Sequence, residues 1–240
     1  YKVTIVDDLS KGSKKLIPKK ADFLECNINE LEKIEKLIKD KNFTAIMHFA
    51  AFVEVEESLK FPEKYNLNNH INSKKLFNLC IKNNLNNIIF SSTAATYGIT
   101  EKTDIINENA PLNPTNPYGE SKVNTEDYLL NLNNEKINFV ILRYFNVAGA
   151  DPQMRSGQIS NKATHLIKIA SEAAIGKRDC VIINGNDYDT SDGTCIRDYI
   201  HVTDLANIHI KSLEYLIKNN KSEIINCGYG KGYSVKEVLD

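Results

Sequence analysis

No stretch of this chain is apolar and long enough to span a bilayer, so nothing in it reads as a membrane segment. Neither charge dominates: 30 basic residues face 31 acidic ones. That balance gives no electrostatic reason to expect nucleic acid or an anionic membrane as partner. The five cysteines (Cys26, Cys80, Cys180, Cys195 and Cys227) form no Cys-x-x-Cys, and their number is odd. Reduced structural thiols of a cytoplasmic protein are the expectation. His48, His70, His165, His201 and His209 also lack metal-ligand spacing, so no metal is expected. A glycine-rich turn between a first strand and a first helix is missing too. Gly228, Gly230 and Gly232 cluster late, after an apolar run at Ile224–Asn226, and read as a loop following a late strand.

What is present is an ordinary globular composition, 42% hydrophobic and 25% charged, of a length suiting one large domain or one plus part of a second. Lys2–Val6 reads as a parallel strand ending in Asp7-Asp8. An acid at such a strand end holds ribose hydroxyls and repels a 2′-phosphate, which favours NAD over NADP; it is equally at home in a plain turn. Further strands are expected at Ala21–Cys26, Ala45–Phe49, Phe139–Arg143 and Ile224–Asn226. Helices are expected where Leu31, Ile34, Leu37 and Ile38 recur, over Pro62–Cys80, over Tyr118–Leu132 and over Asp204–Ile217. Pro111, Pro114 and Pro117 mark a loop before the third of these.

The stretch from Ser91 to Lys122 carries the chemistry. It opens Ser91-Ser92-Thr93-Ala94-Ala95-Thr96-Tyr97-Gly98 and closes Pro117-Tyr118-Gly119-Glu120-Ser121-Lys122. Tyr118 and Lys122 stand four apart, on one helical face. A free phenol titrates near 10, and a fixed positive charge nearby lowers that value. Together with the Thr93 hydroxyl they compose a proton relay for an alcohol. A lone Tyr-x-x-x-Lys is as readily an ordinary surface pair. It is the combination with Phe90–Gly98 and Leu142-Arg143-Tyr144-Phe145-Asn146, in this order and spacing, that is specific.

On those motifs the whole chain resembles the extended short-chain dehydrogenase/reductase family, and more narrowly the UDP-glucose 4-epimerases (UDP-galactose 4-epimerases). The resemblance implies an α/β fold: a Rossmann-like, doubly wound parallel sheet with a smaller C-terminal lobe. It places an NAD-binding domain over 1–150 and part of a UDP-sugar lobe over 151–240, with about 201–228 returning to the sheet. The first strand and its glycine-rich turn are expected upstream of Tyr1, and further substrate-facing residues beyond Asp240, so both ends are expected to be incomplete.

The resemblance also implies roles. Tyr118, Lys122 and Thr93 would be catalytic. NAD would meet Asp7, Asn27, Ile28, Phe49, Ala50, Ala51, Asn68, Ser91, Tyr118, Lys122 and Tyr144. The substrate, UDP-galactose or UDP-glucose, would meet Thr93, Tyr118, Asn146, His165, Leu166 and Arg197. Departures are Asn27 where relatives carry an acid, Phe52-Val53 near a frequent lysine, Val147 in place of a proline and Lys168 in place of another. The implied reaction is oxidation and re-reduction at sugar C4, in galactose metabolism, by an isomerase that is often a homodimer. A 4,6-dehydratase of the same family would need Asp-Glu after the threonine, where this chain has Ala94-Ala95. A non-catalytic remnant that binds NAD or a nucleotide-sugar is the third reading.

Overall fold

The computed structural model describes residues 1–99, 105–132, 137–159 and 164–240. They form two compact units, one of Tyr1–Arg143 with His209–Asn226, the other of Tyr144–Ile208 with Cys227–Asp240.

The first unit is parallel α/β. β1 (Thr4–Asp7) pairs in parallel with β2 (Asp22–Glu25), Thr4 opposite Asp22. α1 (Leu31–Asp40) carries the chain across to β3 (Ile46–His48). A second ladder runs β3, β4 (Asn87–Thr93), β5 (Asn138–Tyr144), β8 (Glu223–Cys227). β3 and β4 are parallel, with His48 opposite Phe90. β4 is buried from Ile88 to Ser92, as befits a strand covered on both faces. The strands lie within a residue or two of their expected places, because short β-branched runs admit few alternatives.

Two apolar clusters hold the unit together. Cys26, Ile28, Ile34, Leu76, Leu79, Cys80 and Leu85 form one, with Val6, Leu24 and Ile46 against it. Phe77, Ile88, Phe90, Leu129, Ile137, Phe139 and Ile141 form the other. Cys26, Cys80 and Cys227 are buried.

The helix expected over Pro62–Cys80 is longer and not uniform. After α2 (Val55–Lys60), α3 (Pro62–Tyr65) passes into π-helical turns over Asn66–Asn72 and then into α4 (Ser73–Lys82). The π turns have a visible cause. The Asn69 carbonyl accepts from the Thr125 hydroxyl at 3.0 Å, and its buried amide bridges the Phe52 backbone and the Ser121 hydroxyl. Such a widened turn re-aims one side chain without ending the helix. α5 (Pro117–Leu130) starts with Pro117 in its first turn and the Asn116 side chain capping the Gly119 N–H at 2.9 Å.

In the second unit, β6 (Asn146–Ala148) pairs in parallel with β7 (Ile196–His201), which pairs antiparallel with β9 (Gly232–Ser234). α6 (Leu166–Ala174), α7 (Val202–Asn219) and α8 (Val235–Leu239) are its helices, α7 running on into the first unit. Of the late glycines, Gly228 and Gly230 lie in the loop from β8 to β9, and Gly232 opens β9. The Asp198 carboxylate accepts the Tyr229 and Gly230 N–H groups, and a Cβ on Gly228 would stand 2.5 Å from it. No helix among the described residues is long and apolar enough to cross a membrane.

Candidate active site

Thr93 ends β4 and caps the short turn Ala94–Thr96, its hydroxyl accepting the Ala95 N–H. α5 closes on that turn because Gly119 has no side chain: a Cβ there would lie 2.7 Å from the Ala95 carbonyl. The close approach brings the Tyr118 hydroxyl beside that of Thr93. Tyr118 is partly buried, its ring meeting that of Tyr65 edge-on at 6.4 Å. Burial raises the phenol above its usual value, and the Thr93 hydroxyl opposes that rise.

Lys122, one turn on, is buried. Its ammonium donates to the Ser91 carbonyl at 2.6 Å and lies over the Phe90 ring, 4.8 Å from its centre. Burial pushes it down to about 7, against the pull of the Glu126 carboxylate. The structure therefore brings Thr93, Tyr118, Ser91 and Lys122 to one end of β4, with the lysine held by the strand's backbone.

Beneath them lies a group that the sequence reading did not single out. Glu126 is wholly buried and takes a fork of bonds from Arg143 of β5, the shortest at 2.6 Å. Ser92 donates to the same carboxylate. Arg143 also donates to the Tyr97 hydroxyl at 2.9 Å and to the Glu108 carbonyl at 3.0 Å, and Tyr97 donates to Asn226. The available signal was spacing: Tyr118, Lys122 and Glu126 follow one another at four-residue intervals, which puts an acid on the inner face of α5.

His48 also lies against Phe90. Its Nε2 is 2.7 Å from the Ser73 hydroxyl, and its ring stacks with Phe90 at 6.0 Å. Burial, then the like charge of Lys122, lowers it to about 3. A base depressed in the folded state stabilises fully above its ordinary value of 6.5, and that contribution drains away as pH falls from there toward 3. Between pH 6.5 and 5 the loss is expected to reach about 2 kcal/mol. Urea unfolding across that range should show it, and His48→Gln should flatten that part of the slope. An unchanged slope in the variant would refute it.

The other expected contacts are placed as follows. Asp7 ends β1 with its carboxylate exposed, accepting the Leu9 N–H at 2.6 Å. A Cβ on Gly12 would stand 2.9 Å from Asp7 Oδ1, so the glycine leaves that side of the carboxylate open. An acceptor-only group with room beside it fits the paired hydroxyls of an NAD ribose. The Asn27 amide is engaged locally, donating to Asp8 and accepting from Asn29, and Ile28 belongs to the core. Phe49 is exposed against His209, and Ala50 and Ala51 follow it. Asn68 donates to Asn69; Asn69, not Asn68, ties the Phe52 loop to α5.

In the second unit, Tyr144 is partly buried at its start and Asn146 is exposed, opposite Tyr199. His165 precedes Leu166 at the start of α6, its Nδ1 2.8 Å from Gln158. Arg197 is exposed on β7. Its sequence neighbour Asp198 accepts the Tyr229 and Gly230 N–H groups.

A parallel α/β unit with an acid at the end of its first strand and a Thr–Tyr–Lys group at the end of a central one defines a class of dinucleotide-dependent enzymes acting on alcohols. Residues 1–228 match the model of the NAD dependent epimerase/dehydratase family, and the chain belongs to that family. It is 47% identical, over 98% of its length and 67% of the relative's, to a UDP-glucose 4-epimerase of Azospirillum brasilense. Among solved structures it resembles the UDP-Glc/GlcNAc 4-epimerase of Campylobacter jejuni (46% identity, TM-score 0.83, 99% of this chain and 74% of that one). It also resembles UDP-glucose 4-epimerase from Brucella ovis in complex with NAD (38%, TM-score 0.92, 99% and 73%).

Proposed function

We propose that the protein interconverts UDP-galactose and UDP-glucose as an NAD-dependent isomerase of galactose metabolism, working in the cytoplasm. The observation that carries this reading is the convergence of the Tyr118 phenol and the Thr93 hydroxyl at the end of β4, where α5 closes on the turn after Thr93. Two such groups can share one alcohol oxygen, one taking its proton while the other holds its position. Bound NAD⁺ would supply a two-electron acceptor that takes hydride from the sugar C4 and returns it. Asp7 would hold the adenosine ribose, Lys122 the nicotinamide ribose.

Tyr118 removes the proton from the 4-hydroxyl, and Thr93 donates to the oxygen as it becomes a carbonyl. The charge of Lys122 favours the phenolate that this step needs. When the 4-keto sugar has turned over, so that hydride would come back to the opposite face of C4, Tyr118 returns the proton to the 4-oxygen. Asn146 and Arg197 anchor the diphosphate, for which the planar guanidinium is well suited. His165 and Leu166 face the uridine. A homodimer belongs to the same proposal.

A dehydratase must also abstract a proton at C5 and expel a hydroxyl from C6. Ala94 and Ala95, which form the turn after Thr93, can do neither. Incubation of the protein with UDP-galactose and NAD, followed by NMR, is expected to yield UDP-glucose. A 4-keto-6-deoxy product would instead establish the dehydratase. An unchanged sugar with NAD bound would identify a binding protein.

A further inference from the structure

A buried ammonium has lost its water and needs replacements. Lys122 has the Ser91 carbonyl at 2.6 Å and the face of Phe90 at 4.8 Å. Among the described residues no carboxylate forms an ion pair with it. Glu126, one turn further along α5, shares its charge with Arg143 of β5. On β3 the His48 imidazole stays neutral, and on α5 the Tyr118 phenol is neutral at pH 7. Besides the Ser91 carbonyl and the more distant pull of Glu126, which is already paired with Arg143, the ring of Phe90 can compensate the charge, because the face of a benzene ring is negative.

We propose that Phe90 is a positioning residue for the Tyr118–Lys122 pair, its ring face stabilising the buried Lys122 ammonium in its charged form. The proposal rests on Lys122 being the charge that favours the Tyr118 phenolate. It also gives a reason for an aromatic residue, where leucine would fill a similar space, directly before Ser91-Ser92-Thr93. Desolvated cation–π attraction is strong enough to move a titration by about one pH unit.

The test replaces Phe90 by 4-fluoro-, 3,5-difluoro- and pentafluorophenylalanine, which drain the ring face of negative potential while nearly keeping its shape. Lys122 is followed by NMR of the protein labelled at lysine ¹³Cε, its resonance identified by its loss in Lys122→Met. The titration midpoint should begin near the value of about 7 set by burial and fall stepwise through the series. Phe90→Leu should lower it by about one unit. The pH profile of turnover should shift with it. A midpoint that ignores fluorination overturns the proposal, even if Phe90→Leu alters it through packing or fails to fold. A midpoint that follows the ring in a protein leaving UDP-galactose untouched overturns the epimerase reading instead, and the ring–ammonium coupling stands.

Discussion

Tyr118→Phe is expected to lower UDP-galactose turnover by about 10²–10⁴-fold, the range that a positioned acid–base group contributes. The variant removes one oxygen and little else. The ring keeps its edge contact with Tyr65, and Thr93 keeps the Ala95 N–H on its hydroxyl, so α5 and the turn it meets should be undisturbed. NAD affinity should change little, because the lysine's partners, Ser91 and Phe90, do not involve the phenol. The measurement is kcat by coupled assay alongside NAD binding by calorimetry. Near-normal kcat would remove Tyr118 from the role of base. A lost fold would show in the circular dichroism and be told apart from lost chemistry.

Glu126→Ala should cost about 3–5 kcal/mol of stability without touching the reacting atoms. The carboxylate is wholly buried, and its removal strands the Arg143 guanidinium with, among the described residues, only the Tyr97 hydroxyl and the Glu108 carbonyl as acceptors. Ser92 loses its acceptor at the same time. Unpaired buried charge, rather than lost Coulomb attraction, is the larger part of that cost. The urea midpoint is expected to fall by about 1–2 M. Glu126→Gln, which keeps an acceptor, should fall less. The double variant Glu126→Leu, Arg143→Met should lose less than the sum of its two single changes, since it removes both charges together. A single-variant loss below about 1 kcal/mol would mean that the network relaxes and that Arg143 finds water.

Much of the scaffold was legible beforehand. Short β-branched runs at Thr4–Asp7, Ile88–Phe90 and Val140–Leu142 have no competing periodicity, and they are strands. The four-residue interval from Tyr118 to Lys122 is a local property of a helix, so it needed no tertiary knowledge. Other features depend on groups far apart in the chain. Asn68 and Asn69 are the same letter, and only the π turns of Asn66–Asn72 and the Phe52 loop decide which is buried. Glu126 reads as one more acid on a polar helix until Arg143, 17 residues later, is seen to enclose it.

By itself, then, the sequence determined the parallel α/β frame, because local pattern dictates it. It pointed to Thr93, Tyr118, Lys122 and Asp7 only through their combination with Phe90–Gly98 and Leu142–Asn146, since spacing alone leaves an ordinary surface pair and a plain turn equally open. Tertiary structure alone decided the electrostatics around Thr93, Tyr118 and Lys122. Packing put Lys122 on a carbonyl and a ring face, held His48 neutral beside them, and seated Glu126 and Arg143 beneath. A side chain's charge state depends on how much water it loses and which dipoles replace it, and neither quantity is written in the residue's own letter or in its neighbours'.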